Sequence, residues 1–410
     1  MFVGWMLRRA LDYLRARSVE DGVLMNTCTV LDLCAAPGGK TTDASTALRE
    51  CFGSSFLLLS NEVIRQRSSV LEDNVARWGD PNVVVCNSDP EAFASLEGLF
   101  DLVIADVPCS GEGMFRKSEN ARNMWSEDNV ALCAARSRRI VGDVWNSLAE
   151  GGVLVYSTCT LNREENDDNV AWFIEHLGAR PLVPDMPFEG PEATEYGFLL
   201  TPGKVRGEGQ YCAILIKDGA FVPDRPLPGG SSRRNSLRSL RRDSRLGTLQ
   251  GSSQGSCADS RMGTLQSSSH GSCADSSDAT PEDASIGFFS RNDEIIALPA
   301  FLEPRMEMLG KNLKLLNAGT KAFVLKGRDK IPHADLALSL ILKDDDFPSV
   351  ELDRTDALRF LHRDALVLEN APKSYILVTY RGMPLGFVKN LGNRANNLLP
   401  AGRRILMNVE

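Results

Sequence analysis

Between residues 29 and 218, short apolar runs alternate with stretches of helical periodicity, and this alternation restricts the fold more than any other feature. The runs TVLDLC, SFLLLSNE, NVVVCNSD, DLVIADVP and GVLVYSTC have strand length and β-branched content. Residues 63–78 and 129–149 read as helices long enough to be the crossovers that parallel strands require. The pattern predicts a doubly wound α/β domain over residues 29–220, with YGFLLTP and QYCAILIK as closing strands around a glycine-rich turn at 203–209.

The flanking segments differ in character. Residues 1–28 carry MFVGWMLRRALDYLRAR, a short helical lead-in whose apolar residues precede its arginines, the reverse of a secretory signal. Residues 226–285 are rich in Ser, Gly and Arg and almost devoid of aromatics, as expected of a disordered linker. Within them SRLGTLQGSSQGSCADS (244–260) is repeated as SRMGTLQSSSHGSCADS (260–276), a 16-residue tandem duplication without an apolar face. Its RRNSLRSLRRDSR stretch reads as solvated linker rather than as an added nucleic-acid contact, and Cys257 and Cys273 are poor candidates for chemistry. Order is expected to resume in an intermediate region at 286–345 and a small α+β domain at 346–410. There SYILVTYRGMPLGFVKN reads as a hairpin.

No apolar run approaches the roughly 20 residues of a membrane span, and ten cysteines without a CxxC pair, beside four histidines, suggest neither zinc nor a disulfide framework. A cytoplasmic, metal-free monomer without a membrane partner is expected. The net charge of −8 argues against a protein that coats nucleic acid. Yet residues 371–409 contain Lys373, Arg381, Lys389, Arg394, Arg403 and Arg404 and no acid, one basic face on an acidic chain. Lys389, Arg394, Arg403 and Arg404 are the candidate RNA contacts.

The strand ends hold the reactive residues. The first opens into Cys34-Ala35-Ala36-Pro37-Gly38-Gly39-Lys40, a small-residue loop before a helix whose amides can meet a carboxylate; neither a Walker loop nor GxGxxG is present. Glu62, ending the second strand, is placed to accept from a ribose diol, and Asp89, ending the third, to accept from an adenine amine or merely to cap the helix after Pro90. The fourth ends Asp106-Val107-Pro108-Cys109 and the fifth Ser157-Thr158-Cys159-Thr160. Both cysteines therefore fall at the carboxyl edge where open α/β sheets bind ligands, in polar loops that seldom hold structural thiols.

LDLCAAPGGKT, SNE, DVPCSGEGMFRK and YSTCT, in that order, resemble the Nol/Nop/Sun group of RNA 5-methylcytosine methyltransferases. KVRGEGQYCAILIK, ALPAFLEPRMEMLGKNLKLLNAGTKAF, IPHADLALSL and YRGMPLGFVKNLGNRANNLLPAGRR extend the resemblance to the bacterial small-subunit rRNA branch of RsmF type. The resemblance implies a class I S-adenosylmethionine-dependent fold with a seven-stranded, mostly parallel Rossmann-like sheet, and a PUA-like RNA-binding domain at the C-terminus. It implies cofactor contacts from Cys34 to Lys40 and from Glu62, Asp89 and Asp106. Cys159 is implied as nucleophile and Cys109 as the thiol that aids release. Members usually carry a longer N-terminal RNA-binding region than the residues that precede the first strand here.

Two thiols suit this chemistry. Carbon 5 of cytosine becomes nucleophilic only after a thiolate adds to carbon 6, and a base must later remove the carbon-5 proton. Asp106 is placed to hold the pyrimidine's ring nitrogen and exocyclic amine. The expected partner is rRNA or the small ribosomal subunit, with tRNA as an alternative substrate and a non-catalytic assembly factor as an alternative role. The target base must leave its stack or lie in a single strand.

Overall fold

The computed structural model describes residues 2–222 and 285–407. The expected linker at 226–285, with its repeat, Cys257 and Cys273, lies outside the described residues apart from Ser285.

Five strands make the parallel heart of a large sheet: β1 (Cys28–Asp32), β2 (Phe56–Asn61), β3 (Val83–Cys86), β4 (Phe100–Asp106) and β5 (Leu148–Thr158). They lie in the order β3-β2-β1-β4-β5, so strand order reverses between β1 and β4 and leaves a crevice at their carboxyl ends. Beyond β5 come the antiparallel closing strands: β6 (Ala179–Leu182), β7 (Glu192–Ala193), β8 (Phe198–Leu200) and β9 (Gln210–Lys217).

Because strand side chains alternate between faces, each apolar run supplies two layers. Leu31, Leu57, Leu59, Val84, Val103, Leu154 and Tyr156 face one side. Val30, Leu58, Val83, Val85, Leu102, Ile104 and Val155 face the other. The first layer is covered by α5 (Glu127–Trp145) and α6 (Asp167–Leu177), through Ile140, Val141, Val144, Val170 and Phe173. The second lies under α1 (Phe2–Glu20), α2 (Gly39–Phe52) and α3 (Arg65–Trp78). Met6, Leu7, Leu11 and Leu14 of α1 are wholly buried. At about 1.5–3 kcal/mol per fully buried side chain, α1 is a structural layer of the sheet. Between β4 and α5 lies the short α4 (Glu119–Met124).

Two differences from the sequence expectation have identifiable causes. The helix expected over residues 129–149 spans Glu127–Trp145: Ser126 Oγ accepts from the Asn129 amide and starts it earlier, while Leu148 pairs with Phe100 and already belongs to β5. The sheet has ten strands rather than seven. Its far edge is completed by β12 (Leu315–Ala318), which pairs antiparallel with β3 and comes from the region expected to be intermediate. Strand pairing across more than two hundred residues leaves no trace in local periodicity.

The remainder forms two small four-stranded sheets. One comprises β10 (Ile286–Arg291), β11 (Glu294–Pro299), β13 (Thr320–Lys326) and β14 (Asp329–Pro332). The other comprises β15 (Ser349–Glu351), β16 (Tyr375–Tyr380), β17 (Met383–Asn390) and β18 (Ala395–Asn397), with β16 and β17 forming the expected hairpin. Helices α7 (Glu303–Asn312), α8 (Ala334–Ala337) and α9 (Arg354–His362) complete this half. Phe323, Leu336, Phe347, Leu377 and Phe387 join the two sheets in one core. Among the described residues no helix is long and apolar enough to cross a membrane.

Candidate active site

The loop after β1 is fixed from both sides. Leu33 donates its amide to Ile104 O at 2.9 Å and Ala35 to Asn61 O at 2.8 Å. From α3, the Arg67 guanidinium donates to Ala36 O and the Asn74 amide to Pro37 O, both at 2.8 Å. Gly38, at φ 112°, makes the left-handed turn into α2 that a residue with a Cβ rarely adopts. Cys34 lies in this cradle, and burial pushes its thiol well above the ordinary range, so it stays protonated.

Two carboxylates face the same loop with an oxygen to spare. Glu62 is buried; its Oε1 accepts from the Ile64 amide at 2.9 Å, while Oε2 lies 3.3 Å from Arg67 Nη1 without a hydrogen bond. Asp32, the last residue of β1, is fully buried. Its Oδ2 accepts from Thr41 Oγ1 at 2.7 Å and its Oδ1 has no hydrogen-bond partner. Burial pushes its pKa up to about 7, against the opposing effects of the Thr41 hydrogen bond and Lys40. Buried acceptors without donors are uncommon and call for a ligand or another explanation. Asp32 was not singled out in the sequence; the available signal was an acid closing an otherwise apolar strand. Asn61 was missed too: it ties Leu33 O and Ser88 O with its Nδ2 and receives the Ser88 amide on its Oδ1. Asp89 lies three residues past the end of β3, half exposed, where its Oδ1 caps the turn Pro90–Ser95 by accepting from the Glu91 amide.

Asp106, Cys109 and Cys159 converge as the strand order requires. Asp106 accepts from Ser157 Oγ at 2.6 Å and pairs with Lys40 Nζ at 2.8 Å. Burial works against the charge on Lys40, but Asp106 outweighs it and keeps the ammonium protonated. The Cys109 and Cys159 sulfurs are 3.1 Å apart, and the Cys159 amide donates to Cys109 Sγ at 3.3 Å. The Cys159 thiol is lowered, first by the hydrogen bond from Cys109 and also by Lys40, against burial and Asp106. Cys109 is held far up by that same hydrogen bond and by burial. Of the two sulfurs, the surroundings thus favour charge on Cys159 over charge on Cys109.

The candidate RNA contacts divide. Arg394 and Arg404 are exposed, and Lys389 lies with its Nζ 5.2 Å from the centre of the Tyr375 ring. Arg403 corrects the expectation: it is largely buried, with Nε 2.6 Å from Asp73 of α3 and Nη2 2.7 Å from Asp335. Its charge is spent pinning the C-terminal segment to the large sheet's helical layer.

Comparison with known proteins agrees with this arrangement. Residues 23–216 match the family described as 16S rRNA methyltransferase RsmB/F, and residues 347–405 match the methyltransferase RsmF PUA domain. Ribosomal RNA small subunit methyltransferase F of Serratia proteamaculans is 32% identical over 383 residues, covering 90% of this chain and 72% of the relative. That of Shewanella loihica is 30% identical, covering 93% and 73%. The crystal structure of NSun6 from Pyrococcus horikoshii with SFG is 26% identical with a TM-score of 0.40, over 50% of this chain and about half (51%) of that one. With the cysteine pair at the sheet edge, the glycine loop after β1 and this identity along most of the chain's length, the protein belongs to the RsmB/F family of 16S rRNA methyltransferases and carries the PUA domain of its RsmF members.

Proposed function

We propose that the chain methylates carbon 5 of a cytosine in small-subunit (16S) ribosomal RNA in the cytoplasm, with S-adenosylmethionine as donor, Cys159 as attacking thiolate and Cys109 as its partner. The 3.1 Å approach of the two sulfurs beside the Lys40–Asp106 pair carries this assignment.

The residues fit the donor. Glu62 Oε2 would take its ribose diol and Asp32 Oδ1 its ammonium, both buried acceptors otherwise without a donor. The start of α2 would take its carboxylate and Asp89 its adenine amine. The loop from Cys34 to Gly39 would lie along it. S-adenosylmethionine supplies a methyl group on a sulfonium, ready for a carbon nucleophile.

The protein's part is to make that nucleophile. The Cys159 thiolate adds to carbon 6, forming the C–S bond, while the ring nitrogen takes a proton from solvent and Asp106 accepts from that N–H and from the exocyclic amine, favouring the protonated adduct. Carbon 5 becomes enamine-like. Once the Cys159 sulfur is bonded to carbon it no longer carries charge, so the first of the influences that held Cys109 protonated disappears, while burial remains. The Cys159 amide still points at Cys109 Sγ and favours a thiolate there. Cys109, its own proton having passed to solvent, or a water it orients, then removes the carbon-5 proton, the ring nitrogen gives up its proton, and the C–S bond breaks to return the Cys159 thiolate. Lys389, Arg394 and Arg404 of the PUA domain would meet the phosphate backbone.

Tritium transfer from labelled S-adenosylmethionine to small subunits, followed by bisulfite mapping, tests the assignment. Cys159→Ala should abolish transfer and Cys109→Ala should accumulate a covalent protein–RNA adduct. Transfer to tRNA alone, or to no RNA, would overturn it.

A further inference from the structure

The two sulfur-bearing loops come from different strands, and past Asp106 and Thr158 their backbones meet at Val107 N with Ser157 O and at Gly113 N with Cys159 O, on either side of Cys109. Glu165, in the segment between β5 and α6, is fully buried and lies between them. Its Oε2 accepts from the Ser110 amide at 2.9 Å, the residue after Cys109. Its Oε1 accepts from Asn162 Nδ2 at 2.8 Å, and Asn162 Oδ1 accepts in return from the Glu165 amide at 2.9 Å. Asn162 Nδ2 also reaches Thr160 Oγ1 at 2.9 Å, and Thr160 Oγ1 lies 2.9 Å from Ser110 Oγ. The hub is itself anchored, because the Tyr156 hydroxyl donates to Glu165 O at 2.6 Å. A charged acceptor receiving one donor from each loop in a dry site is a strong and directional tie.

We infer that Glu165, through Ser110 and Asn162, is a positioning residue that holds the Cys109 loop against the Cys159 loop, so that the two sulfurs lie within hydrogen-bond distance. It hydrogen-bonds to neither sulfur and acts chiefly through their separation, its charge adding a smaller push against a thiolate at Cys109. The inference rests on the functional reading of the cysteine pair. Glutamine at 165 keeps the shape but turns an amide N–H₂ toward a donor, so one of the two ties becomes a donor–donor contact and the loops part.

The test is the pH dependence of Cys159 alkylation by iodoacetamide, followed by site-resolved mass spectrometry of the full chain, alongside steady-state kinetics and thermal melts. Cys109→Ala should move the alkylation midpoint upward. Glu165→Gln should move it in the same direction and lower kcat by up to about 100-fold, the cost of a small misplacement of reacting groups, with KM for S-adenosylmethionine unchanged. In a Cys109→Ala background, Glu165→Gln should add no further shift. Asn162→Ala, in a half-buried loop, should reproduce both effects and decides the matter if Glu165→Gln does not fold. A shift with Cys109→Ala but none with Glu165→Gln or Asn162→Ala would overturn the positioning role alone. An unmoved profile with Cys109→Ala would overturn the functional reading beneath it.

Discussion

Asp32→Asn should make the protein more stable and a poorer binder of its donor, and both effects can be sized. The Asp32 pKa of about 7 lies roughly 3 units above the ordinary carboxylate value, which at 1.36 kcal/mol per unit is about 4 kcal/mol. The unfolded chain loses this proton near pH 4 and the folded one near pH 7. Across that window the folded state holds more protons, and stability falls as pH rises, levelling off above about pH 7. Asparagine keeps the acceptor for Thr41 Oγ1 and removes the charge, while its amide N–H₂ must find a partner in the crevice at a cost of about 1–3 kcal/mol. The net gain at pH 8 is therefore about 1–3 kcal/mol. Urea unfolding of wild type and variant at pH 5 and pH 8 measures it as a difference that grows with pH. Calorimetric titration should show S-adenosylmethionine binding weakened about 10- to 100-fold, the loss of one charge-assisted hydrogen bond. A stability difference that does not change with pH would refute the raised Asp32 pKa, and unchanged donor affinity would refute the placement of the ammonium against Asp32.

Replacing Lys40 with methionine removes the cation beside Asp106 and Cys159, so the midpoint for Cys159 alkylation should rise and activity at neutral pH should fall about tenfold or more. Gly113→Ala would put a Cβ 2.5 Å from Gly209 O and 2.8 Å from Cys159 O. It should displace the Cys109 loop and depress kcat while far-UV circular dichroism stays native. Arg403→Ala leaves the buried Asp335 without its guanidinium, while Asp73 keeps Arg77, and should cost about 3 kcal/mol in urea unfolding. Arg404→Ala should leave stability alone, weaken RNA binding and reduce the salt dependence by about one counterion; an equal loss of stability in both variants would contradict the division drawn between these neighbours.

The parallel strands were legible because each is buried on both faces and reads as a continuous apolar run. The cysteines were legible because polar residues flank them where such runs stop. Glu62, Asp106 and the loop from Cys34 to Lys40 shared that signal. Asp32 was hidden because it closes β1 without breaking its apolar character, and only its wholly buried, half-satisfied carboxylate marks it. Glu165 sits in LNREEN, where neighbouring acids make it look solvated, although it is completely enclosed. Arg403 and Arg404 are adjacent and identical in type, yet one is an internal pin and the other faces water. That distinction depends on Asp73, a residue 330 positions away.

The pairing of β12 with β3 changes what counts as a separable part of this molecule. A fragment ending near Lys217 would hold every residue assigned to methyl transfer, yet present the Val83–Cys86 edge bare, a template on which another chain could add a strand. For anyone trimming the protein for crystallisation or exchanging RNA-binding domains between relatives, a cut at Lys217 bares β3 and a cut just after Ala318 bares β11 by removing β13, so the large sheet and the β10-β11-β13-β14 sheet are kept or lost together.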